Sequence, residues 1–208
     1  IFAGGLYPGS TFKLEIDYIT IATTGNASDF GDLTITSHHG TGLSNATRGI
    51  ITAMENSSWT SNNSNRIDFI TIASAGNAND FGDLYFGTRE SGGCASPTRG
   101  IIKGGTPSHS NVIQFITIST QGDSADFGDT TVAASRGLGS GSNAVRGVLH
   151  LGYTPTVLNT VDFITIATLG NAQDFGDLTE ARFQAGGAAS TTRLVVMGGS
   201  TPSVVDTM

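Results

Sequence analysis

The sequence is poor in cysteine and in charged side chains. Cys94 is the only cysteine among the 208 residues, so no disulfide can form within the chain and a zinc site built from several thiolates is excluded. Charged residues make up 13% of the chain, which is about half the usual share, and Asn, Ser and Thr take their place. A surface of neutral hydroxyls and amides suits an extracellular or particle-surface protein, and it also occurs in β-rich repeat proteins generally.

Long apolar runs and clusters of basic residues are also missing. No segment approaches the roughly 20 apolar residues that a membrane-spanning helix needs. The ten Lys and Arg residues are scattered and the net charge is -7, whereas nucleic-acid binding calls for a basic stripe that displaces the counterions of phosphates. The sequence therefore predicts no membrane span and no nucleic-acid partner.

One phrase occurs four times and organises the chain. Each copy joins an apolar run of the type Ile-Asp-Phe-Ile-Thr-Ile to a turn of the type Gly-Asn-Ala-x-Asp-Phe-Gly-Asp. The copies begin at Ile16, Ile67, Ile113 and Val161, which are 51, 46 and 48 residues apart. Periods of this length are typical of blades or other stacked units.

Two further phrases divide the chain into units. An apolar run ending in Gly-Gly, or a degenerate form of it, opens each unit, and a Thr-Arg-Gly phrase or its variant precedes it. The divisions predict one repeat domain over residues 1–208, with units 1–49, 50–100, 101–147 and 148–194 and a half unit at 195–208. The chain starts inside a strand-like run and stops where another copy of the phrase is due, so we expect either that it is a fragment of a longer chain or that the terminal half unit pairs with residues near Ile1.

The local patterns predict strands and turns. β-branched and aromatic residues occupy both faces of the apolar run, which indicates a strand buried between neighbouring sheets. Gly, Asn and Asp then favour a tight turn. The turn carries one large apolar group, which we expect to plug the core between units; the four copies are Phe30, Phe81, Phe127 and Phe175. With no helical period and a repeat of 46–51 residues, the pattern predicts an all-β propeller with three to four strands per blade.

The order of these phrases resembles the kelch repeat of β-propellers. An Arg-Gly pair, an apolar strand ending in Gly-Gly, a loop, a strand such as residues 111–118 and a Gly-Asn turn follow one another. The tryptophan that kelch repeats carry after the turn is replaced by phenylalanine, and one strand lies between Arg and Gly-Gly where kelch repeats have two. The wording of the phrase is similar to repeats in predicted virion proteins of marine and cyanobacterial tailed phages, which implies a tail-fibre, appendage or capsid-decoration role.

Aspartates and arginines recur with the repeat. The aspartates come in pairs, Asp29 and Asp32, Asp80 and Asp83, Asp126 and Asp129, Asp174 and Asp177, and the arginines are Arg48, Arg99, Arg146 and Arg193. Carboxylates in loops can bind Ca²⁺, but the terminal Glu of the calcium-loop pattern is missing. We therefore expect the aspartates to cap their turns and to form a ladder of Asp–Arg pairs between units, because the planar guanidinium bonds a carboxylate with two donors.

The loops that vary between units are candidates for binding. They follow the Gly-Gly pairs and precede the Thr-Arg-Gly phrases, as at residues 55–65 and 89–94. Trp59, with Asn62 and Asn63 nearby, could stack on a sugar ring or pack on the neighbouring unit. The four histidines, His38, His39, His109 and His150, are expected to be exposed loop residues. His38 and His39 are adjacent, and neighbouring strand residues face opposite ways and so rarely chelate one metal. No metal site is predicted.

The sequence favours a protein that is not an enzyme. It lacks Gly-x-Ser-x-Gly, a phosphate loop and a dinucleotide fingerprint, so no catalytic residue and no cofactor is expected. Four near-identical copies indicate scaffolding, since an active site needs one asymmetric constellation. We expect a structural or binding component of a bacteriophage virion, with other virion proteins as partners and a host surface glycan as the target of host attachment. The alternatives are a bacterial surface adhesin, extracellular or cell-surface, and a kelch-like carbohydrate-active enzyme, whose copper site would need a Tyr and a Cys.

Overall fold

The computed structural model describes residues 1–7, 11–55, 64–201 and 203–204. All regular structure in these ranges is β-strand, and they contain no helix that could cross a membrane. In chain order the strands are β1 (Phe2–Ala3), β2 (Leu6–Tyr7), β3 (Thr11–Tyr18), β4 (Ser28–Ser37), β5 (Thr41–Ser44), β6 (Arg48–Thr52), β7 (Arg66–Thr71), β8 (Asn79–Asp83), β9 (Gly92–Ala95), β10 (Arg99–Lys103), β11 (Val112–Thr117), β12 (Ala125–Asp129), β13 (Gly141–Ser142), β14 (Arg146–His150), β15 (Thr160–Thr165), β16 (Gln173–Asp177), β17 (Gly186–Ala189), β18 (Leu194–Met197), β19 (Ser200–Thr201) and β20 (Ser203–Val204).

The strands form a series of antiparallel sheets. Three sheets have four strands in chain order, β5 to β8, β9 to β12 and β13 to β16; β1, β2 and β4 surround β3 in another, and β17–β18 and β19–β20 are pairs. The all-β prediction is confirmed. The sheets are shifted relative to the sequence units, because each division falls inside the second strand of a sheet, as residues 49 and 50 do in β6. The short first strand thus comes from the segment before Thr-Arg-Gly.

The apolar run of the repeat forms the third strand of each sheet. In β7, Ile67, Asp68 and Ile70 are all buried, so both faces of the strand are covered. The apolar side chains of neighbouring sheets meet in three clusters, each lying between two successive sheets. The core is therefore divided into layers between sheets, as the pattern of two apolar faces predicts.

Three of the four turn phenylalanines close these layers. Phe30, Phe81 and Phe127 are only 3 to 5% exposed. The prediction is wrong for Phe175, which is 54% exposed. The reason is packing: no further four-stranded sheet of the described residues lies against β16, so the side chain has nothing to plug.

A backbone clasp joins each sheet to the next at the Phe-Gly-Asp segment. Gly76 N donates to Phe30 O at 2.6 Å, and Ala78 N donates to Asp32 O at 2.8 Å. The same two bonds recur at the next two junctions with lengths of 2.8 to 2.9 Å. A Cβ on Gly31 would lie 2.5 Å from the backbone of Gly76, which explains why the turn phrase needs glycine at this place.

A buried polar side chain on the third strand adds a second link between sheets. Asp68 is fully buried, and its carboxylate accepts bonds from Thr34 N at 2.9 Å and Thr34 Oγ1 at 2.7 Å in the preceding sheet. Asp162 holds Thr131 in the same way, at 2.7 and 2.8 Å. Since a buried carboxylate needs such partners, these links fix the spacing of neighbouring sheets.

Candidate functional site

Three of the four repeat arginines stack on aromatic rings, and the repeat arginines do not pair with the repeat aspartates. The guanidinium carbons of Arg48, Arg99 and Arg146 lie 4.9, 4.8 and 4.5 Å from the ring centroids of Phe69, Phe115 and Phe163. Arg193 is exposed. Among the ion pairs of the described residues, none joins a repeat arginine to a turn aspartate. The predicted Asp–Arg ladder is therefore wrong, because the arginines stand on the second strand, the aspartates on the fourth, and the phenylalanine of the third strand lies between them.

The first aspartate of each pair bonds a nearby backbone amide as predicted, but it does so within the fourth strand, so the turn predicted for the Asp-Phe-Gly-Asp segment is wrong. Its Oδ1 accepts a bond from the backbone N–H of the glycine two residues later, at 3.0 to 3.2 Å, in Asp29, Asp80, Asp126 and Asp174. The second aspartate, Asp32 and its copies Asp83 and Asp129, uses its backbone in the clasp between sheets. The fourth copy, Asp177, borders a surface cavity beside Phe175. These aspartates are parts of the scaffold.

The candidate binding residues Trp59, Asn62 and Asn63 lie outside the described residues. The variable loops predicted to bind a ligand do contribute to a candidate site, but with side chains other than those three. The loop before the first strand of each sheet carries one residue with a positive φ at the same place, and the four residues are His39, Glu90, Arg136 and Gln184, with φ of 55, 52, 59 and 55°. We call these four residues the polar row.

Backbone hydrogen bonds link the polar row from sheet to sheet. Glu90 N donates to His39 O at 3.3 Å, Arg136 N to Glu90 O at 2.9 Å, and Gln184 N to Arg136 O at 2.8 Å. A positive φ is unfavourable for residues other than glycine, and such strain is concentrated at functional sites. The ladder of bonds holds four strained residues in line, with Glu90 buried and the other three side chains reaching the surface.

The side chains of the polar row interact across the sheets. Glu90 is 6% exposed, and its carboxylate accepts bonds from Arg136 Nε at 3.0 Å and Gln184 Nε2 at 3.3 Å. The guanidinium of Arg136 also lies 5.6 Å from the ring of Tyr153 and 5.8 Å from that of Phe183. One end of the row thus combines a cation, an amide and two half-buried rings, a set of groups suited to a polar ligand with an apolar face.

The other end of the row is formed by two histidines and a glutamate. His38 and Glu55 are buried, and His38 Nε2 and His39 Nδ1 lie 3.5 and 3.4 Å from Glu55 Oε2. Arg89 Nη1 donates to the other carboxylate oxygen, Glu55 Oε1, at 3.3 Å. Burial and the adjacent His39 lower the pKa of His38, so its imidazole is neutral near pH 7. We call His38, His39 and Glu55 the His–His–Glu cluster.

The histidine predictions fail at this cluster and at His150. His38 is 7% exposed, and His150 is fully buried, although exposed loop positions were expected for both. His38 and His39 do not face opposite ways either, because the positive φ of His39 turns the chain between them and leaves their ring centroids 4.1 Å apart. An open cavity of about 660 Å³ borders both side chains.

Comparison with known proteins adds information on the fold alone. No protein-family model matches the chain, and no curated protein matches its sequence. Among solved structures, that of YjhT has the same fold. It aligns with a TM-score of 0.73 at 8% identity, and the alignment covers 98% of this chain and 74% of that chain. At this identity, the likeness to YjhT says nothing about residues or activity.

Sequence reasoning missed the polar row because its members differ from one another. His39, Glu90 and Gln184 stand nine residues before the repeat arginine of their segment, and Arg136 stands ten before, since its loop has one residue more. A search for repeated residues passes over such a position. An alignment of the four copies on their arginines would have brought the row together, although the positive φ that aims its side chains has no sequence signal in these residue types.

Proposed function

We propose that this chain is a kelch-like β-propeller that serves as a non-enzymatic binding and structural component of a virus particle, with its ligand bound at the polar row. The propeller assignment is supported by the repetition of one four-stranded antiparallel sheet in which the first strands, β5, β9, β13 and β17, contact one another in succession. Sheets repeated radially around a centre meet along their first strands in this way. The outer clasp at the Phe-Gly-Asp segment then sets the angle between blades.

The observation that carries the binding proposal is the polar row itself. A scaffold repeats with little variation, yet at one place in each copy it presents a different polar residue in a strained conformation. Repeat proteins bind through positions that vary on a constant framework. A row of His39, Glu90, Arg136 and Gln184, flanked by Tyr153 and Phe183, offers donors, acceptors and ring faces together, which is the chemistry that recognises a glycan.

The non-enzymatic part of the proposal rests on the near-identical repeats, and the one serine–histidine contact in the described part of the chain does not contradict it. His109 Nδ1 lies 3.0 Å from Ser135 Oγ. Ser135 is fully buried, so its hydroxyl cannot meet a substrate.

The virion assignment is supported by the similarity of the repeated phrase to phage virion repeats and by the low charge of the chain. A host surface glycan is the ligand we propose.

A glycan array tests the binding proposal. The chain should bind a subset of surface glycans, and Arg136→Gln should lose that binding because it removes the cation held between Glu90 and the rings. Arg193→Gln is the matched control, since Arg193 is exposed and lies outside the polar row, and it should bind as the unchanged chain does. Retention of glycan binding by Arg136→Gln would refute the row as the site.

Virus particles test the location. Peptides of this chain should be recovered from purified particles in stoichiometric amount with other virion proteins. Their absence from particles, with the protein present in the surrounding medium or on cells, would favour the adhesin alternative.

A further inference from the structure

The His–His–Glu cluster has the composition and spacing of a metal site. In the described part of the chain it is the one place where three potential metal ligands converge, with all ligand atoms within 4.8 Å of one another. We propose that His38, His39 and Glu55 bind a divalent transition-metal ion of the Zn²⁺ type at the end of the polar row. The proposal rests on this geometry and holds independently of the glycan-binding proposal.

The distances in the cluster fit an ion better than they fit hydrogen bonds. The two imidazole-to-carboxylate distances are 3.4 and 3.5 Å, longer than the usual 2.7–3.2 Å of an N–H···O bond. Ligand atoms about 2.0–2.1 Å from a tetrahedral Zn²⁺ stand roughly 3.3 Å apart. The three ligand atoms lie within 4.8 Å of one another, so an ion would draw them together, and the half-exposed side chain of His39 is the one with room to move.

The backbone fixes the ligands in place. His38 N donates to Glu55 O at 3.2 Å and Glu55 N donates to His38 O at 3.0 Å, so the two residues form a closed bridge between two loops. His39 joins them because its φ of 55° brings its ring beside that of His38. A metal site is strongest when the scaffold sets the ligand directions before the ion binds.

The contacts of the glutamate also suit a metal. Arg89 bonds Glu55 through Oε1 and leaves Oε2 directed to the imidazoles. The guanidinium acts here as an outer contact that orients the carboxylate.

The site has room for an exogenous group. The side chain of His39 is 43% exposed, and both imidazoles border the open cavity of about 660 Å³. Two imidazoles and one carboxylate would fill three positions of a four-coordinate ion and leave one for a further group, which the cavity could admit. Water or a donor atom of a bound ligand would occupy that position.

Titration calorimetry with Zn²⁺ on chelator-treated protein tests the proposal. The unchanged chain should bind one Zn²⁺ per chain, and its melting temperature should rise with Zn²⁺ because the ion binds the folded state. His39→Ala removes a half-exposed ligand and should fold normally. It should weaken Zn²⁺ binding by more than the roughly 10–100-fold that loss of an outer contact costs, and it should abolish the shift in melting temperature.

His109→Ala is the matched control, since His109 also has a positive φ but lies outside the cluster. It should bind Zn²⁺ as the unchanged chain does. Co²⁺ adds a spectroscopic readout: four-coordinate visible bands should appear with the unchanged chain and with His109→Ala, and be lost with His39→Ala. An unchanged chain that binds no Zn²⁺, or a His39→Ala variant that binds it equally well, would overturn the assignment.

Discussion

Replacement of Phe127 by alanine should destabilise the protein far more than the same change at Phe175. The two residues occupy the same place in the same Asp-Phe-Gly-Asp phrase, and each meets the phenylalanine of its own third strand edge-to-face, with centroids 6.1 Å apart. They differ only in the neighbouring sheet. Phe127 is 3% exposed inside a core layer, whereas Phe175 is 54% exposed.

The magnitude of each effect follows from this burial. Loss of a fully buried phenylalanine costs about 3–5 kcal/mol, because the lost transfer free energy is joined by the cost of a cavity. Phe175 keeps half of its surface in water and leaves no cavity, so by buried area its loss should cost about 1 kcal/mol. The difference corresponds to roughly 5–15 °C in melting temperature for a chain of this size.

Urea unfolding followed by circular dichroism measures both free energies. Because a stack of repeats can unfold in parts, hydrogen exchange of the amides in β12 and β16 should accompany it. Phe127→Ala should increase exchange in β12 and in the sheet that packs on it, whereas Phe175→Ala should affect only β16. Equal losses of stability in the two variants would refute the view that the turn phenylalanine acts by sealing the layer between sheets.

Two further predictions use buried or matched positions. Burial lowers the pKa of Lys103 to about 7 in the folded protein, against an ordinary value of 10.5, so between these pH values the unfolded chain binds more protons than the folded chain. The free energy of unfolding should therefore rise from pH 7 to 8.5, by at most about 1.4 kcal/mol per pH unit. Lys103→Met should remove this slope when the free energy is measured by urea unfolding at each pH. A slope that persists in Lys103→Met would assign it to another group. Gly128→Ala should lower the melting temperature more than Gly176→Ala. Both glycines have a positive φ, but a Cβ on Gly128 would lie 2.5 Å from the backbone of Gly170, whereas a Cβ on Gly176 would meet nothing within 4 Å. Equal effects would show that φ strain alone decides.

The repeating part of the fold could be predicted from the sequence because repetition makes local signals agree. The apolar run gave a strand buried on both faces, as Ile67 and Ile70 are, and the Asp-Phe-Gly-Asp segment gave an aromatic plug in three copies, although it forms a strand where a turn was predicted. Phe175 departs from its copies through its position in the stack and not through its own phrase. A residue's burial in a repeat protein depends on the next unit, which the local sequence does not contain.

The side-chain pairing could not be predicted in the same way. The sequence places arginines and aspartates at constant separations, and charge alone suggests that they meet. In the sheets a third strand lies between them, so three of the four guanidinium groups stack on the phenylalanine of that strand. The carboxylates that bond the neighbouring sheet belong to the third strand itself, as Asp68 and Asp162 do with Thr34 and Thr131. Recurrence identifies residues that the scaffold needs, but the register of the strands decides which of them touch.

The candidate site differs from the scaffold because its residue types change from unit to unit while its backbone conformation stays the same. His39, Glu90, Arg136 and Gln184 share a backbone conformation and a place in the ladder but no chemistry. A repeat that only had to stack would place glycine or asparagine at four positions with φ near 55°, because those residues adopt it at least cost. The row instead carries a histidine, a glutamate, an arginine and a glutamine, of which only the glutamate is buried, and this choice of side chains is the reason for proposing a ligand there.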